Sequence, residues 1–498
     1  MPPVPTLRSR PAPARAACLG VAVALALLAP GAHAAEDPGL AAERRLEQRV
    51  DELAQQLAAV QAELARLKAE RTATPATPAA PAAPATPGAT VAAAQAPAAP
   101  AASAAMPPAP AVAAAASPVE RLSLWGYGEA YLTHPTHVSG EAQADLARAV
   151  FGIGYQFDER TSFNSEFEVE HAVASASDPG EFEVEQFFVE HQVAPWGNVR
   201  VGLFLMPFGL LNEHHEPTNF YGMQRNFVET LIIPSTWREG GFEMNAHGES
   251  GLALSLGVTT GFDLSKWDFA PEFPPYRNAL TLEDNDVAPL QATHQELALA
   301  NAAHPAWHVA LNYTGLPGLR LGGALFSGEA VGVPSPPNAP PTGTPRVTLW
   351  EGHARWTPAG FDLSAVYARG SLSNTAAANL ANPGSPTPLP AAFYGYFVQA
   401  AYADGLALGG YRLAPFARYE YYTLGSSYEG AAPVVPAGLV PLSSSPGDSG
   451  TWPIGYDRVF TVGANFYVTP NVVLKLDYQS FDVNKDFTRI DLGLGLAF

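Results

Sequence analysis

The chain of 498 residues contains one cysteine, Cys18, and it sits in an N-terminal stretch expected to be cleaved off. The mature protein is thus expected to hold no disulfide and no thiolate metal site. Long apolar runs are equally scarce. The longest, around Leu19 to Leu28, lies in the same removable stretch, so no helix is left to cross a bilayer and any membrane insertion must use strands. Cationic residues are few, 27 Lys and Arg against 47 Asp and Glu, and nucleic acid is not expected as a partner. The nucleophile pattern G-x-S-x-G and the helical zinc pattern H-E-x-x-H do not occur, and neither a cofactor nor a metal is expected.

What the chain does have is uneven. Proline (48) and glycine (44) are abundant, with the proline concentrated in a low-complexity stretch ahead of a strand-rich part. Arg8, Arg10 and Arg15 precede the apolar run, and Ala32-His33-Ala34 supplies a small-residue cleavage site, so residues 1–34 read as a secretory signal peptide. Leu46, Val50, Leu53, Leu57, Val60, Leu64 and Leu67 then step by four and three, which predicts a short coiled-coil helix within 35–71. An amphipathic helix folded onto its own chain is the alternative. Residues 72–117 are almost entirely Ala, Pro and Thr and form an extended spacer, reaching on the order of 100 Å at about 3.1 Å per residue.

From Pro118 to Phe498 short alternating segments are joined by connections that are by turns brief and long. The brief ones fall at Asp158-Glu159-Arg160, Ala194 to Gly197, Glu249-Ser250-Gly251, Leu316-Pro317-Gly318, Thr357 to Gly360, Ala403-Asp404-Gly405 and Thr469-Pro470-Asn471. Such asymmetry predicts an all-β fold, an antiparallel transmembrane β-barrel of about sixteen strands with both termini on the short-turn side. In the last segment Ile490, Leu492, Leu494, Leu496 and Phe498 take every second position. This run resembles the closing strand of Gram-negative outer-membrane barrels, in which the terminal aromatic is read by the barrel assembly machinery.

Strand parity assigns the two faces. Val472, Leu474, Leu476 and Tyr478 are expected to meet lipid, with Lys475, Asp477 and Gln479 inside. The same reading puts Phe163, Phe167, Val169, Val199, Val201 and Leu203 outside. It places Glu166, Glu168, Glu170, Arg200, Arg320, Arg355, Arg418, Glu420 and Arg489 on the inner wall, where charge in contact with water would bias ion passage. Between Glu181 and Val193 the parity breaks, which predicts a bulge. The barrel part carries 39 acidic against 18 basic residues, favouring weak cation preference.

The third long connection, led into by Gly202 to Gly209 and running from Leu210 to Gly241, mixes aromatics with charge and is expected to fold into the barrel and narrow it. Glu213, His214, His215, Glu216, Arg225, Glu229, Arg238 and Glu239 are the candidate constriction residues. Adjacent Glu213 to Glu216 is poorly spaced for one metal ion.

Pro207-Phe208-Gly209, Asn212-Glu213-x-His215-Glu216-Pro217, Phe220-Tyr221-Gly222, Arg225 with Glu229, and Ile233-Pro234-Ser235-Thr236-Trp237-Arg238-Glu239 resemble the phosphate-selective porin O/P group, and more closely its poorly characterised relatives. The resemblance implies a sixteen-stranded, usually trimeric barrel with the third loop as constriction. Phosphate-selective members carry a basic residue before the Pro-Phe pair and a ladder of arginines, whereas Leu205 and Met206 stand here. A passive channel for small hydrophilic solutes and ions in the outer membrane is therefore the expected function, with outer-membrane lipids around it. The alternatives are a phosphate or other anion channel, an outer-membrane hydrolase, or a structural tether reaching peptidoglycan through the periplasmic helix.

Overall fold

The computed structural model describes residues 121–137, 142–172, 180–269, 288–332, 343–431, 433 and 455–498. The expected signal peptide, coiled-coil helix and linker, and the first barrel residues from Pro118, lie outside the described residues. In chain order the strands are β1 (Leu122–Pro135), β2 (Gln143–Gln156), β3 (Thr161–Glu170), β4 (Phe182–Ala194), β5 (Gly197–Leu205), β6 (Arg238–His247), β7 (Leu252–Thr259), β8 (Ala306–Leu316) and β9 (Leu319–Glu329). They continue with β10 (Arg346–Trp356), β11 (Phe361–Ser373), β12 (Pro390–Tyr402), β13 (Leu406–Leu408), β14 (Tyr411–Tyr428), β15 (Tyr456–Thr469), β16 (Val472–Phe481) and β17 (Arg489–Ala497).

All pairings between these strands are antiparallel, and β17 pairs back onto β1, so the sheet closes on itself without a free edge. The three residues of β13 continue the line of β12 along β14, which makes sixteen staves from seventeen strand segments. One expected turn is displaced. The chain bends at Ala403 to Gly405, but the hairpin tip is Gly409-Gly410, where positive φ of 60° and 100° suits the glycine pair. The other short turns fall where expected, and all lie at one end, with the long connections at the other.

Alternation along the strands sorts the side chains as a membrane barrel requires. Leu474, Leu476, Tyr478, Ile490 and Leu492 are exposed on the outside, while Lys475, Asp477, Gln479, Arg489 and Asp491 are buried within. The parity break in β4 is a bulge: Glu166 faces Gln186 and Phe167 faces Val184, so Glu185 is the extra residue and its side chain joins the interior. Leu203 has outward parity but is buried, because Leu297 of the β7–β8 connection lies over its pairing partner Gly240.

A small residue sits at the point of closure. Gly126 and Phe498 exchange backbone hydrogen bonds of 3.0 and 2.8 Å across the β1–β17 seam. A Cβ at position 126 would come within 2.7 Å of the terminal aromatic ring.

Along β9 to β12 the inner face changes character. Near the short turns it is polar, with Arg320, Arg355, Ser364 and Gln399. Toward the long connections it becomes Phe326, Leu349, Leu372 and Phe393, which pack into one buried cluster with Tyr422, Val459, Phe481 and residues of the third loop.

Candidate functional site

The third loop, residues 206–237, enters the barrel from the end of β5 and is bonded to the wall on the far side. Its entry follows from Met206-Pro207-Phe208-Gly209. Asn212 donates to the carbonyls of Met206 (2.7 Å) and Trp237 (2.8 Å) and accepts from the Trp237 N–H (2.7 Å), tying the two ends of the loop together. Glu229 accepts from the N–H groups of Leu210 (2.5 Å) and Leu211 (2.8 Å) and from the Asn226 amide (2.6 Å). Its carboxylate fills the space above Gly209, where φ is +70°. Burial raises the Glu229 carboxyl pKa, and the three donors oppose that shift.

Across the lumen the loop backbone meets inward polar groups. The Gly222 N–H donates to Asn465, the Met223 N–H to Asp477 (2.6 Å) and the Phe227 N–H to Glu420 (2.8 Å). Arg418 donates to the carbonyls of Tyr221 (3.1 Å) and Gln224 (3.2 Å), and Lys475 stands 3.5 Å from the Phe220 ring centroid. Backbone amides buried inside a barrel need such partners.

The expected wall residues therefore divide into two groups. Glu168, Arg418, Glu420, Lys475 and Arg489 point inward as expected, but all are 2% exposed or less, covered by loop and wall rather than bathed in water. Glu166 is also buried, accepting from Trp125 Nε1 at 2.5 Å and from Gln186. Glu170, Arg200, Arg320 and Arg355 stay partly exposed. Inward charge did not mean water at each position because the loop occupies the interior.

The expected constriction residues divide similarly. Glu213, His214 and Glu216 lie on the accessible edge of the loop, with Glu213 3.7 Å from Arg200 and Glu216 accepting from Asn219 at 2.6 Å. His215 is buried, 2.7 Å from the Tyr127 hydroxyl and 3.2 Å from Glu185, with its carbonyl accepting from Arg148 at 2.9 Å. The four adjacent residues thus diverge to different partners. Arg225 bonds Thr236 (2.9 Å), Arg238 bonds Glu183 and Glu296, and Glu239 accepts from Trp237 and Thr260; all three are buried clamps.

Tyr127 and Glu185 escaped the sequence reading. The parity of β1 points Tyr127 inward, a legible cue, but Glu185 comes inside only through the bulge. A small cavity with room of about 30 Å³ for water-sized molecules remains between the loop and the β10–β14 wall, lined among others by Leu211, Asn219, Tyr221, Arg355, Ser364 and Gln399. Arg355 holds Asp362 there through bonds of 2.6 to 3.1 Å.

No protein family matches the chain. An uncharacterised protein of Aquifex aeolicus is 26% identical over 370 residues, covering 72% of this chain and 76% of that one. Among solved structures, OmpF of Salmonella typhi in complex with daunomycin is similar with a TM-score of 0.48 and 14% identity, over 76% of this chain and 97% of that one. The anion-selective porin of Comamonas acidovorans gives 0.44 and 10%, over 76% and 99%.

Proposed function

We propose that the protein is an outer-membrane porin, a passive channel for small hydrophilic solutes and ions in which the third loop sets the constriction. The observation that carries this reading is a closed barrel, apolar outside, whose third loop crosses the interior and presents Glu213 to Arg200 on a wall that also bears the partly exposed Arg320 and Arg355. Partly exposed charges of both signs along the edge of a narrow passage orient and filter solutes by charge.

The reading places residues 118–498 in the membrane and the N-terminal helix and spacer in the periplasm, where contact with peptidoglycan is one role for the helix. It includes assembly through the Phe498 strand and a homotrimer, and it keeps the resemblance to the phosphate-selective porin group. Phosphate or other anion selectivity is the second reading, favoured by the partly exposed arginines. Purified protein in a planar bilayer under a salt gradient tests both. Ohmic conductance with weak cation preference is expected; no conductance would overturn the channel, and strong anion preference would establish the second reading.

A further inference from the structure

The outer surface is not uniformly aliphatic. On β10, β11, β12 and β14 it carries a contiguous run of rings, Trp350 to Tyr367 at 5.2 Å between centroids, Tyr367 to Tyr394 at 6.2 Å and Tyr394 to Tyr421 at 5.7 Å. Two guanidinium groups share this face. Arg369 pairs in register with Trp350 and Tyr394 and stands 5.9 Å from the Tyr394 ring centroid; Arg458 pairs in register with Tyr421.

Both have outward parity, alternating with buried Ala368 and Val459, and both lie toward the long-connection ends of β11 and β15. Arg458 is half exposed and bonded to Asp482 at 3.2 Å, and Arg369 has no ion pair among the described residues. The surface around β17, β1 and β2 is mostly small and aliphatic, as at Gly126, Ala130, Leu146 and Leu492, with Phe151 and the terminal Phe498 as isolated rings and no arginine beside them among the described residues.

A cation at the edge of the hydrocarbon is stabilised by an anion, which Asp482 supplies to Arg458 and no described residue supplies to Arg369. Arginine favours phosphate because its planar fork donates two parallel hydrogen bonds. We propose that Arg369 and Arg458, with the tyrosine run between them, bind the headgroup of a phosphorylated glycolipid in the leaflet on the long-connection side. The guanidinium groups take the phosphates and the aromatic faces take the sugar rings. This rests on the membrane-spanning reading above and adds a fixed lipid to one side of the barrel.

The test uses the full chain in detergent, with native mass spectrometry after addition of diphosphorylated lipid A or the same lipid stripped of phosphate. The wild type is expected to retain the phosphorylated lipid only, and Arg369→Gln combined with Arg458→Gln to retain it at least about tenfold less. Equal retention of both lipids, unchanged retention by the double variant, or full displacement by millimolar inorganic phosphate would each overturn the headgroup assignment. Bilayer conductance of the double variant is expected to match the wild type, so failure of the lipid site and failure of the channel reading give different results.

Discussion

At the residue scale, the loop is anchored by side chains that sequence alone marks only as polar. Glu229 is one. Glu229→Ala would leave the Leu210 and Leu211 N–H groups without their acceptor in a buried site, at a cost of about 1–3 kcal/mol for each unpaired group. Glu229→Gln retains an acceptor oxygen and should cost less. Thermal unfolding of both variants in detergent checks the order, and equal midpoints would show that these bonds contribute nothing.

His215 is another anchor. Burial, reinforced by Arg148 and Arg225, lowers its pKa, so the docked loop holds it neutral. A base whose folded pKa is lowered stabilises the fold above its unfolded value, about 6.5, and that contribution is lost as pH falls toward the folded value. Loop protection from protease is thus expected to weaken below about pH 6 in the wild type, with the pH dependence reduced in His215→Gln. Identical profiles in the two proteins would exclude His215 as the cause.

At the element scale, the decisive contact is the seam between β1 and β17. The Phe498 ring lies over position 126, where a Cβ would come within 2.7 Å of both the ring and the Val150 carbonyl oxygen. Gly126→Val should obstruct closure and lower the folded fraction, seen as loss of the heat-modifiable band in gel electrophoresis. Normal folding would mean that the ring can move aside. The β4 bulge works in the opposite sense: one additional residue turns Glu185 inward to meet Tyr127 and His215.

At the scale of the whole molecule, the loop divides the interior. Phe227, Leu231, Ile232 and Trp237 join Phe326, Phe393, Tyr422 and Phe481 in an apolar mass toward the long connections, and the polar wall lies toward the short turns. Phe227→Ala with Ile232→Ala removes buried contacts worth about 2–5 kcal/mol each and should loosen this mass. Single-channel conductance is expected to rise; an unchanged value would show that the mass does not limit flow. Because many wall carboxylates are sequestered, ion preference should be set by the few accessible groups rather than by the 39-to-18 acidic surplus.

The architecture was legible in the chain itself, because a strand declares its two faces at every second residue and a turn is written in neighbouring residues such as Leu316-Pro317-Gly318. That is how the closed barrel, the one-sided long connections and the inward parity of Arg418 or Lys475 could be read. Which inward charges touch water depended on tertiary structure alone. The Phe227 N–H and Glu420 are 193 residues apart, and the Met223 N–H and Asp477 are 254 apart. Only the folded loop brings those groups together, and its burial of the wall follows from the need of its own backbone for partners.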